Sequence, residues 1–160
     1  MYNVYLKSQR IEDLKISYKW RNEKTIWSKT LGAGKFQKKK ITLKDEIQWF
    51  KKIKRRKNRK NLSIFLENNK LIGNIYFTDI VNKKAQFHIV IGNKNYWNKG
   101  IGYKATKLSL MYANVNFDIK KFYLFVKKTN KYAIMIYKKI GFKIIKSNPN
   151  KIIEMNFKLK

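Results

Sequence analysis

Hydrophobic positions along the chain follow two rhythms. One is short and dense in β-branched and aromatic residues: "NVYLK", "LSIFLEN", "LIGNIYFTDI", "AQFHIVIGN", "KFYLFVKK", "FKIIKS" and "KIIEMNFKL". Each is bounded by polar residues, and together they predict seven strands. The second, third and fourth are joined only by the turns "NNK" and "VNKK", which predicts an antiparallel meander. The other rhythm is helical. "IEDLKISYKWRN" places Ile11, Leu14, Ile16, Tyr18 and Trp20 near helical spacing, in imperfect phase. Residues 25 to 41, rich in glycine and lysine, read as a loop. Thr42 then reads as an N-cap with Asp45 and Glu46 in the first turn, and Ile47, Trp49, Phe50 and Ile53 form the buried side. "YKATKLSLMYANV" predicts a further helix, and "NKYAIMIYKKIG" a last one, capped by Asn130 and ended by Gly141.

The predicted order is β-α-α-β-β-β-α-β-α-β-β. It describes an α/β (α+β) fold: a mixed, mostly antiparallel sheet of about seven strands with helices on both faces. One proline, Pro149, and the lack of a Ser/Gly linker or repeat predict one domain over 1–160.

Composition changes the picture chiefly through charge. There are 39 Lys+Arg against 9 Asp+Glu, a formal net charge of +30. Such a surface attracts polyanions and repels polycations. Lys, Asn and Ile all abound, as in AT-rich coding, but that drift favours Glu as well and does not explain the scarcity of acids. The densest run, "KKIKRRKNRK" at 51–60, reads either as a solvated helix end and loop or as an anion-binding patch. Without cysteine and with His88 the one histidine, no metal site is expected. "MYNVYLKSQR" lacks signal-peptide features and no apolar run is long enough for a bilayer, so the expectation is a cytoplasmic protein without a membrane span.

The candidate chemistry centres on "YWNKGIGYKA", residues 96–105. A strand entering a glycine turn and then a helix N-terminus is an anion site, because free amides and the helix dipole converge there. A P-loop would need Gly-Lys-Ser/Thr, whereas here Lys99 precedes Gly100. The stretch from Gly100 to Ala105 fits the dinucleotide pattern G-x-G-x-x-A. The next strand, however, ends in "VKK" without the acid that would hold a ribose. A tight turn without a ligand remains a third reading.

"IVIGNKNYWNKGIGYKAT", followed after a helix and a strand by "NKYAIMIYKKIGF", resembles the GNAT N-acetyltransferase family. The likeness is to the branch holding ribosomal-protein N-terminal acetyltransferases, spermidine acetyltransferases and nucleotide-amino-sugar N-acetyltransferases. Trp97, Lys99, Gly100, Ile101 and Gly102 match its first motif; Asn130, Ala133, Tyr137, Gly141 and Phe142 match its second. "YKWRNEKTIW" and "LIGNIYF" extend the likeness over nearly the whole chain. Trp97 stands where the wider family has Gln or Arg, as is common in this branch. The resemblance implies acetyl-CoA as cofactor. Main-chain groups of Ile89, Val90 and Ile91 would pair with the pantetheine arm. The segment Trp97, Asn98, Lys99, Gly100, Ile101, Gly102 and Tyr103 would cradle the pyrophosphate, with Asn130 as a further contact. Tyr137 would be the general acid for the leaving thiolate; read by itself, it is equally a core aromatic.

The amine must lose a proton before it attacks. Gln86, His88 and Val90 alternate onto one strand face, so His88 is a candidate base. A histidine with a structural partner is the other reading, and base work would then fall to water. Gln86 is a candidate substrate contact. The resemblance leaves the acceptor open among peptide N-termini, polyamines, aminoglycosides and amino sugars. The scarcity of acids favours a small anionic amine such as a nucleotide-linked amino sugar. "WRN" then supplies Trp20 to stack on it, Arg21 to pair with a phosphate, and Asn22 beside them, unless Trp20 is core and Arg21 a helix-end cap. The alternatives are ribosomal-protein N-terminal acetylation and, in another class, a basic nucleic-acid-binding module. Monomer and homodimer are both compatible with the sequence.

Overall fold

The computed structural model describes residues 2–28, 30, 40–149 and 151–159. Its strands are β1 (Val4–Ser8), β2 (Lys60–Leu66), β3 (Lys70–Val81), β4 (Lys84–Ile91), β5 (Lys121–Lys127), β6 (Lys143–Ser147) and β7 (Ile152–Lys158). They form one sheet in the order β1-β2-β3-β4-β5-β7-β6. Neighbours are antiparallel except β4 and β5, which are parallel and are joined over the sheet by the crossover helix α4 (Ile101–Phe117). The remaining helices are α1 (Ile11–Arg21), α2 (Lys24–Trp27), α3 (Leu43–Lys54) and α5 (Lys131–Ile140).

The predicted mixed sheet is therefore present, with short helical elements added. Lys24–Trp27, which runs into the start of the expected loop, turns as the short helix α2 and buries Ile26. Residues 29 and 31–39 of that loop lie outside the described residues.

Strand alternation distributes the core over both faces. Ile64 and Leu66 of β2 point to the large cluster that holds Ile101, Ala105 and Leu110 of α4 and Ile136 of α5. Phe65, between them, points the other way and joins Trp20, Ile26 and Leu71. Beyond that layer, α1 and α3 pack on each other through Leu14, Phe50 and Ile53. The inner face of α1 is partly polar. It buries Asp13, Leu14, Ser17 and Trp20, while Ile11 and Ile16 are exposed, contrary to the apolar spacing. Asp13 explains the inversion: it accepts from the Arg10 amide at 2.9 Å and from the Ser63 hydroxyl at 2.8 Å. A buried carboxylate so bonded caps the helix and ties it to β2.

The cap on α3 is as the sequence predicts. The Asp45 amide donates to Thr42 Oγ1 at 3.2 Å and the Thr42 amide to Asp45 Oδ2 at 2.9 Å, a reciprocal box that stabilises by about 1 kcal/mol. Its buried side differs: Glu46 is inside with Phe50 and Ile53, whereas Trp49 is half-buried at a cleft. Asn130 caps α5, its Oδ1 accepting from the Ala133 amide at 3.3 Å, and Gly141 ends it in the left-handed conformation.

Candidate active site

The parallel pairing of β4 and β5 is short. It runs only from Lys84 opposite Lys121 to Gln86 opposite Tyr123, while β4 stays paired with β3 as far as Ile91 opposite Gly73. Beyond Gln86 the β5-facing edge of β4 therefore borders a cleft of about 660 Å³, lined by Ile89, Val90 and Ile91. A strand edge without a neighbour offers main-chain donors and acceptors to an extended ligand.

The elbow closes one end of this cleft. Asn98 and Gly100 both take positive φ, 58° and 73°. A Cβ on Gly100 would meet nothing within 4 Å, so glycine serves the backbone conformation there and the space above it is open. Intrahelical bonding in α4 begins with the Lys104 amide donating to the Gly100 carbonyl at 3.2 Å. The amides of Ile101, Gly102 and Tyr103 precede that bond, at the positive end of the dipole, and no acid occupies the first turn. Ile101 is buried in the core and fixes the helix end. Trp97 donates its indole N–H to the Ile91 carbonyl at 2.7 Å, clamping the elbow to the end of β4 and engaging one of the strand groups expected to pair with a ligand. Of the elbow, Tyr96, Trp97, Asn98 and Gly102 line the cleft. Lys99 instead holds its ammonium 5.9 Å from the Tyr2 ring and 5.8 Å from Tyr96. An open cradle of free amides beside an unpaired strand edge fits a diphosphate with an extended arm.

Asn130 and Tyr137 line the same cleft. Tyr137 is only 9% exposed, its ring edge-on to Phe87 at 6.4 Å and tilted against Phe142 at 5.6 Å. Burial pushes its phenol well above the ordinary tyrosine range, so the hydroxyl keeps its proton. The residue is at once core aromatic and cleft wall.

His88 lies across β3 from Tyr76, and Gln86 from Thr78; both line the cleft. His88 Nε2 shares a hydrogen bond with the Thr78 hydroxyl at 3.0 Å. Its pKa is lowered to about 4, first by burial and then by the Arg59 charge, against the pull of Asp79. The imidazole is thus neutral at pH 7 and held by a structural partner.

The "WRN" triplet does not form the expected acceptor contacts. Trp20 is 7% exposed, and its ring fills the space over Gly92, where a Cβ would come within 1.9 Å of it. It is core and cannot stack on a ligand. Asn22 pins the chain before α3, accepting from the Ile41 amide at 2.8 Å and donating to the Ile41 carbonyl at 2.9 Å. Arg21 lines the cleft but donates to Glu46 at 2.9 Å and stacks on Trp49 at 4.8 Å. Burial raises the pKa of Glu46 and Arg21 pulls it back. Arg21 is thus neutralised by this pair.

The cleft is lined in addition by Trp27, Trp49, Arg59 and Tyr76. None was singled out as a site residue in the sequence. The Arg59 guanidinium stacks 5.2 Å from both the Trp49 and the Tyr76 ring. The one signal was the basic run 51–60, which the structure divides into the end of α3, a turn and the start of β2.

Comparison with known proteins bears on this geometry. The profile of the acetyltransferase (GNAT) domain matches residues 3–143. The spermidine N(1)-acetyltransferase of Escherichia coli (strain K12) is 39% identical over 64 residues, 40% of this chain and 34% of that protein. The match thus spans about a third of that relative's length. Among solved structures, a domain from Methanocaldococcus jannaschii DSM 2661 superposes with TM-score 0.81 at 22% identity, covering 99% of this chain and 100% of the other. Spermidine N-acetyltransferase from Vibrio cholerae, in complex with CoA and spermine, superposes with TM-score 0.84 at 19% identity, covering 97% and 95%. At these identities the structural likeness is one of fold.

Proposed function

The chain belongs to the acetyltransferase (GNAT) domain family, and from that premise we propose that it transfers an acetyl group from acetyl-CoA to a primary amine by direct attack, the whole chain acting as one domain. The observation that carries this reading is the coincidence of an unpaired β4 edge with an open amide cradle at the start of α4. Bound there, acetyl-CoA supplies a thioester open to attack by nitrogen. Ile89, Val90 and Ile91 would hold the pantetheine arm, the amides from Asn98 to Tyr103 the diphosphate, and Asn130 a further part of the cofactor. Holding amine and thioester together accounts for much of the acceleration, and strand amides polarise the carbonyl. Tyr137 keeps its proton and donates it to the leaving thiolate. His88 is held by its structural partner Thr78 and its lowered pKa makes it a weak base, so the amine proton passes to water in the cleft.

We further propose an acceptor whose body is anionic, such as a nucleotide-linked amino sugar. Its support is the distribution of the nine acids. Asp13 and Asp45 cap helices, Glu12, Glu23, Glu46 and Asp118 pair with Arg10, Lys94, Arg21 and Lys83, Glu67 accepts from the Asn3 amide, and Glu154 lies on β7. Asp79 is the one carboxylate residue lining the cleft among the described residues, against Arg21, Arg56 and Arg59. A polyamine acceptor is the second reading, favoured by the Escherichia coli relative. Initial rates of acetyl-CoA consumption with a UDP-linked amino sugar, the free amino sugar, spermidine and an N-terminal peptide decide between them. The expected order places the nucleotide-linked amine first in kcat/KM. Spermidine in first place would overturn the acceptor proposal, and no consumption with any amine would overturn the transferase reading.

A further inference from the structure

We propose that Arg56 and Arg59 form a phosphate-binding subsite at the acceptor end of the cleft, which rests on the acetyl-transfer reading above and assigns the residues that recognise the acceptor's anionic part. Both arginines line the cleft together with Asn58. The turn that carries them is fixed: the Arg56 amide donates to the Ile53 carbonyl and the Ile80 amide to the Asn58 carbonyl, both at 3.0 Å. Arg59 Nε donates to Asn61 Oδ1 at 2.8 Å, so its remaining donors are those of the two Nη groups. Its guanidinium is held between the faces of Trp49 and Tyr76. A planar donor set positioned in advance loses little freedom when it binds, and a guanidinium matches phosphate in a bidentate way.

The subsite lacks an internal counter-charge. Among the described residues no carboxylate lies within 4.0 Å of Arg56 or Arg59, whereas the third cleft arginine, Arg21, has Glu46. Arg59 is half-buried, and its pKa is lowered first by desolvation; Tyr76 pulls it back up, Arg56 and Arg21 lower it further, and Asp79 opposes them weakly. A partly desolvated cation beside two others is stabilised by an incoming anion.

Position supplies the rest. Arg59 adjoins β2 where Asn61 pairs with Tyr76, and Tyr76 pairs with His88. An anion held here anchors a molecule whose amine extends along β4 toward the thioester. The cofactor's own diphosphate has its cradle at the other end of the cleft, so the two anion sites are separate.

The test is calorimetric titration of pyrophosphate and of UDP into protein saturated with CoA, which occupies the elbow. Arg56→Gln and Arg59→Gln are each expected to weaken the probe by about 10- to 100-fold, the loss of a charge-assisted contact. Arg59→Lys is expected to fall between Arg59→Gln and the wild type. Lys107→Gln, an exposed change on α4 away from the cleft, reports the non-specific pull of the +30 surface and is expected to change little. Asp79→Asn is expected to tighten the probe. Equal losses in the arginine variants and Lys107→Gln, or no loss at all, would overturn the subsite. Arg56 is exposed, so Arg56→Gln keeps the test valid if Arg59→Gln does not fold. CoA affinity is measured in the same series. It is expected to be unchanged in the arginine variants; its loss there would assign these residues to the cofactor instead. Absence of CoA binding by the wild type would count against the transferase reading, not against the subsite.

Discussion

Gly100→Ala separates the elbow's structural cost from its role in binding. Gly100 sits at φ 73° and ψ −3°, and its substituent would meet no atom within 4 Å. The fold therefore loses only backbone strain, about 1–2 kcal/mol for an L-residue in the left-handed region. In a domain of this size each kcal/mol lowers Tm by about 2–4 °C. The binding loss is larger in kind, because the new methyl stands where a diphosphate would approach the amides of Ile101 and Gly102. Weakening one or two charge-assisted hydrogen bonds costs about 1.5–3 kcal/mol each, at least a tenfold loss in CoA affinity. Gly141→Ala is the control. It carries comparable strain at φ 115°, with its substituent 3.2 Å from the Phe157 ring, and lies outside the cleft lining. Calorimetry with CoA below both melting transitions is expected to show the loss in Gly100→Ala alone. Equal affinity in both variants, or an equal fall in both, would refute the cradle.

Other outcomes follow from the same geometry. Tyr137→Phe keeps the ring against Phe87 and Phe142 and is expected to lower kcat by about 100-fold with acetyl-CoA affinity nearly intact; unchanged turnover rejects the acid role. His88 has a folded pKa of about 4 against 6.5 in the unfolded chain, so the unfolded state binds the extra proton between those values. Stability from this group is full above pH 6.5 and falls as pH drops toward 4, by up to about 3 kcal/mol. In His88→Gln, urea unfolding measured from pH 7 to 4 is expected to show a shallower decline; an identical decline contradicts the assignment. Gly92→Ala forces a methyl into the Trp20 ring and is expected to destabilise by about 1–3 kcal/mol, read by thermal unfolding.

The elbow was readable in the chain because it is local. One contiguous stretch turns, frees its amides and starts a helix, and its glycine spacing records that geometry. The seven strands were readable for a similar reason, since β-branched runs between short turns leave little choice of element. Helix α1 was harder. Asp13 and Ser17 occupy its inner face while Ile11 and Ile16 face outward, so hydrophobic spacing alone gives the wrong face. The remaining wall of the cleft was not legible. It joins Trp49 of α3, Arg59 of the turn before β2 and Tyr76 of β3, and no spacing rule connects them. The residue type of Trp20 does not say whether it faces ligand or core. What decides is the glycine at position 92, whose missing side chain makes room for the indole.

The central claim is that this cleft binds acetyl-CoA and presents it to an amine. Single-turnover transfer from radiolabelled acetyl-CoA, with the product identified by mass spectrometry, tests it most directly. The account predicts one acetyl group on the amine nitrogen of the acceptor and free CoA in equal amount, both lost in Gly100→Ala at limiting cofactor. Millimolar acetyl-CoA that leaves every amine of the panel unmodified and shows no saturable binding would contradict it.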